Sequence, residues 1–220
     1  MNDFLSFALT YLPYLLQGAL VTVEIAVIGV IFGSILGLLV GLGRVSKNPL
    51  LSQLSRFFIW VIRGTPLLLQ LFIIHFAIPS VFSALTMPPF VSACIALSIN
   101  AAAYIAEIAR GAIQSIDKGQ MEAARSLGLS SSQSMRRVIV PQAFRRMLPP
   151  LGNEFIALIK ESSLVSTIAL YDLLRTGQQI ISSTYRYMEV FFLVGLIYLL
   201  LTTVMSFIIG KIEKKVGAYE

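Results

Sequence analysis

The chain has 220 residues, 56% of them apolar and 13% charged, with a formal net charge of +6 and a single domain expected over residues 1–220, its core running from about 15 to 212. So few charges and so much apolar surface exclude an ordinary soluble domain and point to a membrane protein. One cysteine, Cys94, and one histidine, His75, exclude an intrachain disulfide and a cysteine cluster, and leave His75 without a second histidine for a metal site.

A bilayer core about 30 Å thick needs roughly 20 apolar residues per helix. In chain order, Leu12–Gly43 carries one charge, Glu24, while Pro66–Leu85 and Phe90–Ala106 carry none. Leu148–Leu170 is apolar except for Glu154, Lys160 and Glu161, and Val190–Gly210 carries no charge. These are about five transmembrane helices in an all-α membrane protein. The N-terminus has Asp3 and no basic region, so the first span is expected to target the chain by itself. An odd count puts the termini on opposite sides. With the N-terminus outside and the C-terminus inside, thirteen Lys and Arg side chains fall inside, against Arg175 and Arg186 outside. The positive charge is thus topological and can face anionic lipid; no nucleic acid is needed to explain it.

Three features stand out within the spans. Gly29, Gly33, Gly37 and Gly41 recur every fourth residue in the first and form a stripe without side chains. Such a stripe admits another helix closely, in this subunit or a copy, or else lines a ligand path. The second span begins Arg63-Gly64-Thr65-Pro66, a helix break that suits either a wet cavity or a helix start at the interface. Gln70 lies one turn beyond and is placed to face such a cavity; His75 reads as a neutral packed or pore-lining side chain. In the Leu148–Leu170 span a charge at bilayer depth costs at least ~2.5 kcal/mol, so Glu154, Lys160 and Glu161 must face protein or water. They either hold the ammonium and carboxylate of a zwitterion, joined by the Ser162 and Ser163 hydroxyls and Gln70, or pair with one another and line nothing. Glu107 and Arg110, three apart, are expected to pair.

Between the third and fourth spans lies a compact polar insertion. Asp117 can cap a helix that Gly128 ends in a left-handed conformation. Ser130 with Gln133 reads as the capping box of a second helix, running to Val140 before Pro141. Met121, Ala124 and Leu127 share one face of the first helix, an apolar stripe suited to another protein's groove. The rival reading is a DNA-binding helix-turn-helix, with Arg136-Arg137 on its second helix. That motif needs a third helix in a soluble domain, and here Pro141 leads into a span.

These residues carry a resemblance. Glu122-Ala123-Ala124, then Gly128, then Val138-Ile139-Val140-Pro141, resembles the EAA signature of bacterial ABC importer permeases, with Val138 and Val140 where the family usually has Ile and Leu. Arg63-Gly64-Thr65-Pro66-Leu67-Leu68, the run from Tyr104 to Gly119, and Gly152-Asn153-Glu154-Phe155 through Lys160-Glu161-Ser162 are similar to the polar amino-acid subfamily. The likeness spans nearly the whole chain. It implies a multi-pass subunit of the bacterial cytoplasmic membrane, paired with an identical or sister permease. It also implies two ABC ATPase subunits below, an extracytoplasmic solute-binding protein above, and a polar amino acid as cargo moved by alternating access. By the same likeness Glu122, Ala123, Ala124, Leu127 and Gly128 form the helix that couples to the ATPase. The chain has no G-x-x-x-x-G-K-[ST] phosphate loop, so it is not itself the ATPase; neither bond chemistry nor a cofactor is expected of it. A secondary transporter would carry internal repeats and usually more spans, and none is found. A membrane enzyme would need a cluster such as histidines with carboxylates.

Overall fold

The computed structural model describes residues 2–217, with side chains from 3 to 215, and every regular element there is helical. In chain order α1 is Asn2–Arg44, α2 Pro49–Gly64, α3 Leu67–Phe72, α4 Ile78–Val81 and α5 Pro89–Gln114. Then come α6 Lys118–Ser126, α7 Ser131–Ser134, α8 Val140–Glu161, α9 Leu173–Thr184 and α10 Tyr187–Gly217. A π turn, Ile73–Ala77, joins α3 to α4; another, Met135–Ile139, joins α7 to α8. A 3₁₀ segment, Ser162–Ile168, follows α8.

Three of these helices, α1, α5 and α10, are long and apolar enough to cross a bilayer. A fourth arises if α2 and the α3–α4 arm, bent by 104°, form one broken span. The expected Pro66–Leu85 span is thus only the short arm of that bend. Its helical part is about 22 Å long at 1.5 Å per residue, too short for the bilayer core. The expected Leu148–Leu170 span is not one helix either. It is divided at Glu161, and α8 carries too many charges to qualify, with Arg145 and Arg146 joining Glu154, Lys160 and Glu161. Among the described residues, three or four candidate spans thus qualify by length and hydropathy, where the sequence suggested about five.

The 43 residues of α1 make a rod about 64 Å long, against which most of the rest is packed. Its glycine stripe turns to α5, which answers with its own small residues. A Cβ at Gly33 would stand 2.6 Å from the Ala101 Cβ, and one at Gly37 would stand 2.8 Å from the Ala102 carbonyl oxygen. Ala93, Ala96, Ala101, Ala102, Ala103, Ala106 and Ala109 on α5 are all buried. The stripe is thus helix packing within this subunit. Around it Ile25 and Ala26 of α1 pack with Leu71, Leu97, Ile105, Leu158 and Val165. Nearer the N-terminus, Leu15 and Ala19 pack with Leu173, Ile180, Val190 and Val194.

The helix before Pro141 does not stop at Val140, as its sequence suggested. Proline lacks a donor and crowds the preceding turn. The π turn immediately ahead widens the helix there, so α7 runs on through Pro141 into α8.

Candidate functional site

The polar insertion is built by local chemistry. The Asp117 carboxylate accepts the Gly119 N–H at 2.6 Å and starts α6. At its end the Leu129 N–H donates to the Ala124 carbonyl and the Gly128 N–H to that of Arg125, the two bonds of a Schellman stop, with Gly128 at φ +85°. The Ser130–Gln133 capping box then opens α7. The face expected to leave the subunit is split. Ala124 is buried, and Met121 packs onto the cluster of Ile116, Ile139, Ala143 and Met147, which seats α6 on the root of α8. Leu127 is 85% exposed and projects beside exposed Glu122 and Ala123. Arg146 reinforces the seat by donating to the Ser115 carbonyl at 2.6 Å.

Where α2 breaks, Gln70 closes the bend. Its amide N–H₂ donates to the Ile62 carbonyl at 2.7 Å, the Thr65 carbonyl at 3.1 Å and the Thr65 hydroxyl at 3.0 Å. Its oxygen accepts from the Asn100 amide of α5 at 3.1 Å. Breaking the helix frees backbone carbonyls that need donors, and Gln70 supplies them. His75 Nδ1 meets the Ser92 hydroxyl at 2.9 Å.

The Ser162 and Ser163 hydroxyls are also committed. Ser162 is fully buried and donates to the Ile159 carbonyl at 2.8 Å; Ser163 donates to that of Lys160 at 2.7 Å. Both sit where the helix tightens to 3₁₀ and leaves carbonyls free to accept them.

The charges behave differently. Glu154 is half-buried on α8, and Lys160 and Glu161 are exposed near its end. Glu154 lies within electrostatic reach of Glu161 and of Arg63, and Glu161 within that of Lys160. Yet among the described residues no side-chain hydrogen bond or ion pair within 4 Å holds any of the four. Glu107 is the contrast. It pairs with Arg110 at 2.7 Å, as expected, and also with Arg44 at 3.8 Å. Arg63, expected at the helix break and in the Arg63–Leu68 motif, acts electrostatically on Glu154. Its guanidinium lies over the Tyr104 ring, 5.1 Å from the centroid.

A buried polar knot also escaped the sequence reading. Asp172, fully buried, caps α9 by accepting from the Arg175 N–H at 2.9 Å and the Leu174 N–H at 3.3 Å, and the Tyr198 hydroxyl of α10 lies at 3.4 Å. Thr22 of α1 accepts the Leu173 N–H at 3.1 Å. The knot ties α1, α9 and α10 together, and only the Asp-x-x-x start of α9 advertised it.

Residues 29–218 match the family profile of binding-protein-dependent transport system inner membrane components. The chain is 44% identical over 204 residues to the glutamine transport system permease protein GlnP of Escherichia coli (strain K12), covering 93% of each. It is 39% identical over 215 residues to the arginine transport system permease protein ArtQ of Bacillus subtilis (strain 168), covering 98% of each. Among solved structures, an amino acid ABC transporter with histidines superposes with a TM-score of 0.91 at 41% identity, over 97% of this chain and 98% of that one. The inward-facing MetNI methionine ABC transporter gives 0.80 at 23% identity, over 94% and 98%, a likeness of fold alone.

Proposed function

We propose, from the premise that this chain belongs to the binding-protein-dependent transport system inner membrane components, that it is the membrane subunit of an ABC importer for a polar amino acid. Membership implies ATPase partners and a solute-binding protein. The relatives named for glutamine and arginine transport support the substrate class. In this reading the N-terminus and the α4–α5 loop face outward, and α6 faces the cytosol. Glu122, Ala123, Leu127 and Gly128 present the docking surface to an ATPase, with Ala124 fastening α6 to α8 beneath it. A second permease, a copy or a sister chain, completes the pathway.

The observation that carries the substrate site is the set of unpaired charges on α8. Glu161 lies within electrostatic reach of both Glu154 and Lys160, yet among the described residues none of the three forms an ion pair, so pairing does not account for their presence. Charges of both signs left open in an apolar protein need water or a ligand. A zwitterion satisfies both signs at once, its ammonium toward Glu154 or Glu161 and its carboxylate toward Lys160. Binding of L-glutamine and L-arginine to the detergent-purified permease tests this. Glu154→Gln, Glu161→Gln and Lys160→Met are each expected to raise Kd about tenfold or more, the worth of a charge-assisted hydrogen bond. Parent-like binding by all three variants would assign these charges to structure and move the pocket elsewhere.

A further inference from the structure

We infer that Arg63, at the break between α2 and α3, receives the α-carboxylate of the amino acid in this site. The inference rests on the site reading above and adds a residue from a different element.

A carboxylate needs donors, and the structure has spent most of those nearby. The Gln70 amide closes the bend, and the Ser162 and Ser163 hydroxyls hold carbonyls of their own helix. Arg44 and Arg110 are taken by Glu107. Lys160 reaches toward the carboxylate from α8 as a single point charge, without the planar fork of a guanidinium. Arg63 is left, with neither a hydrogen bond nor an ion pair among the described residues.

Although unpaired, Arg63 is held in place. Its cation rests over the face of Tyr104, and that contact engages the flat side of the guanidinium while leaving its N–H edges free. Those edges match a carboxylate in a two-pronged way that an ammonium cannot. The backbone beneath is fixed as well, because the Gln70 bonds to Ile62 and Thr65 bracket Arg63 and the Asn100 bond pins the bend to α5. Glu154 acts electrostatically on Arg63 from α8 without touching it. Opposite charges that act on each other without forming an ion pair are both left to a third partner. An α-amino acid presents its ammonium and carboxylate on one carbon, so one small ligand can bridge Glu154 and Arg63. Glu107 also acts on Arg63 electrostatically, but its carboxylate is already committed to Arg110 at 2.7 Å.

The test separates the carboxylate from the rest of the ligand. Binding of L-arginine and L-glutamine to the purified full-length permease is compared with binding of agmatine and 4-aminobutanamide, the same molecules without the carboxylate. The parent is expected to prefer each amino acid over its decarboxylated partner by about tenfold or more. Arg63→Met should bring that preference close to one by weakening the amino acids alone, and Arg63→Lys should restore part of it. Glu154→Gln should instead weaken all four ligands together. An unchanged preference in Arg63→Met, equal loss of both ligand types, or a parent without the preference would overturn the role of Arg63 while leaving the α8 site standing. Parent-like binding by Glu154→Gln and Glu161→Gln, or a parent that binds neither amino acid, would instead bring down the site reading and this inference with it.

Discussion

A Cβ placed on Gly128 meets nothing within 4 Å, yet φ there is +85°. The penalty for a side chain is therefore backbone strain alone, about 1–2 kcal/mol for a left-handed residue, and more for a β-branched one. Gly128→Val is expected to fray the end of α6 while the protein still reaches the membrane. Glu122→Lys leaves the exposed surface folded and reverses its charge. Uptake in vesicles reconstituted with the ATPase and binding protein should fall in both variants, and normal uptake in both would remove α6 from the docking role. Asp117, Gly128, Ser130 and Gln133 were legible in the sequence because a cap is a contract between residues two to four apart. Gln70, Ser162 and Ser163 were not. Each looked free to meet a ligand, and each is claimed by a carbonyl that becomes available only because the helix breaks or tightens beside it. The support of Arg63 is hidden for the converse reason, since Tyr104 lies 41 positions away in the chain by the numbering.

At the scale of elements, the α1–α5 contact depends on the absence of side chains. Gly33 faces the Ala101 Cβ and the Ser98 carbonyl, Gly37 the Ala102 carbonyl and Ile105. Gly33→Leu or Gly37→Val must push two long helices apart, an overpacking cost of about 1–3 kcal/mol or more. Either variant should melt earlier in detergent, whereas Gly111→Ala, with open space around it, should melt at or above the parent temperature. A Gly33→Leu protein that melts like the parent would mean the two helices are not in contact. Gln70→Leu tests the bend. It leaves Asn100 and two carbonyls short of partners, at about 1–3 kcal/mol for a buried group, and the melt should shift down accordingly. The glycine repeat was legible as packing because its period matches the helix. The amphipathic α2 was not, since Arg56 and the loop-like Asn48-Pro49 start hid an apolar face that exposes Leu50, Leu54, Phe57 and Trp60. The passage through Pro141 was hidden too, because a stop signal read locally says nothing of a π turn that absorbs it.

For the whole molecule the expected orientation becomes a labelling pattern. Ser132 and Thr86 are both exposed. With the N-terminus outside, Ser132→Cys should resist an impermeant thiol reagent in intact cells and Thr86→Cys should react, measured in a Cys94→Ala background. The opposite pattern would invert the protein, and reaction at both positions would change the number of crossings. Whichever count holds, α7, its π turn and α8 run without a loop from Ser131 to Glu161, about 45 Å of chain at 1.5 Å per residue. One end is clamped under α6, while the other carries Glu154, Lys160 and Glu161, with Pro149 and Pro150 between them. That makes the segment a lever with a weak point near its middle. Tilting it by about 10° swings each end by roughly 4 Å, taking the rise per residue as the measure of its arms. Arg63 sits on another element and would not travel with it. In the proposed orientation and with the proposed site, a push delivered at the cytosolic end would thus move Glu154 relative to Arg63, so the same stroke that moves α6 would loosen or tighten the grip on the cargo.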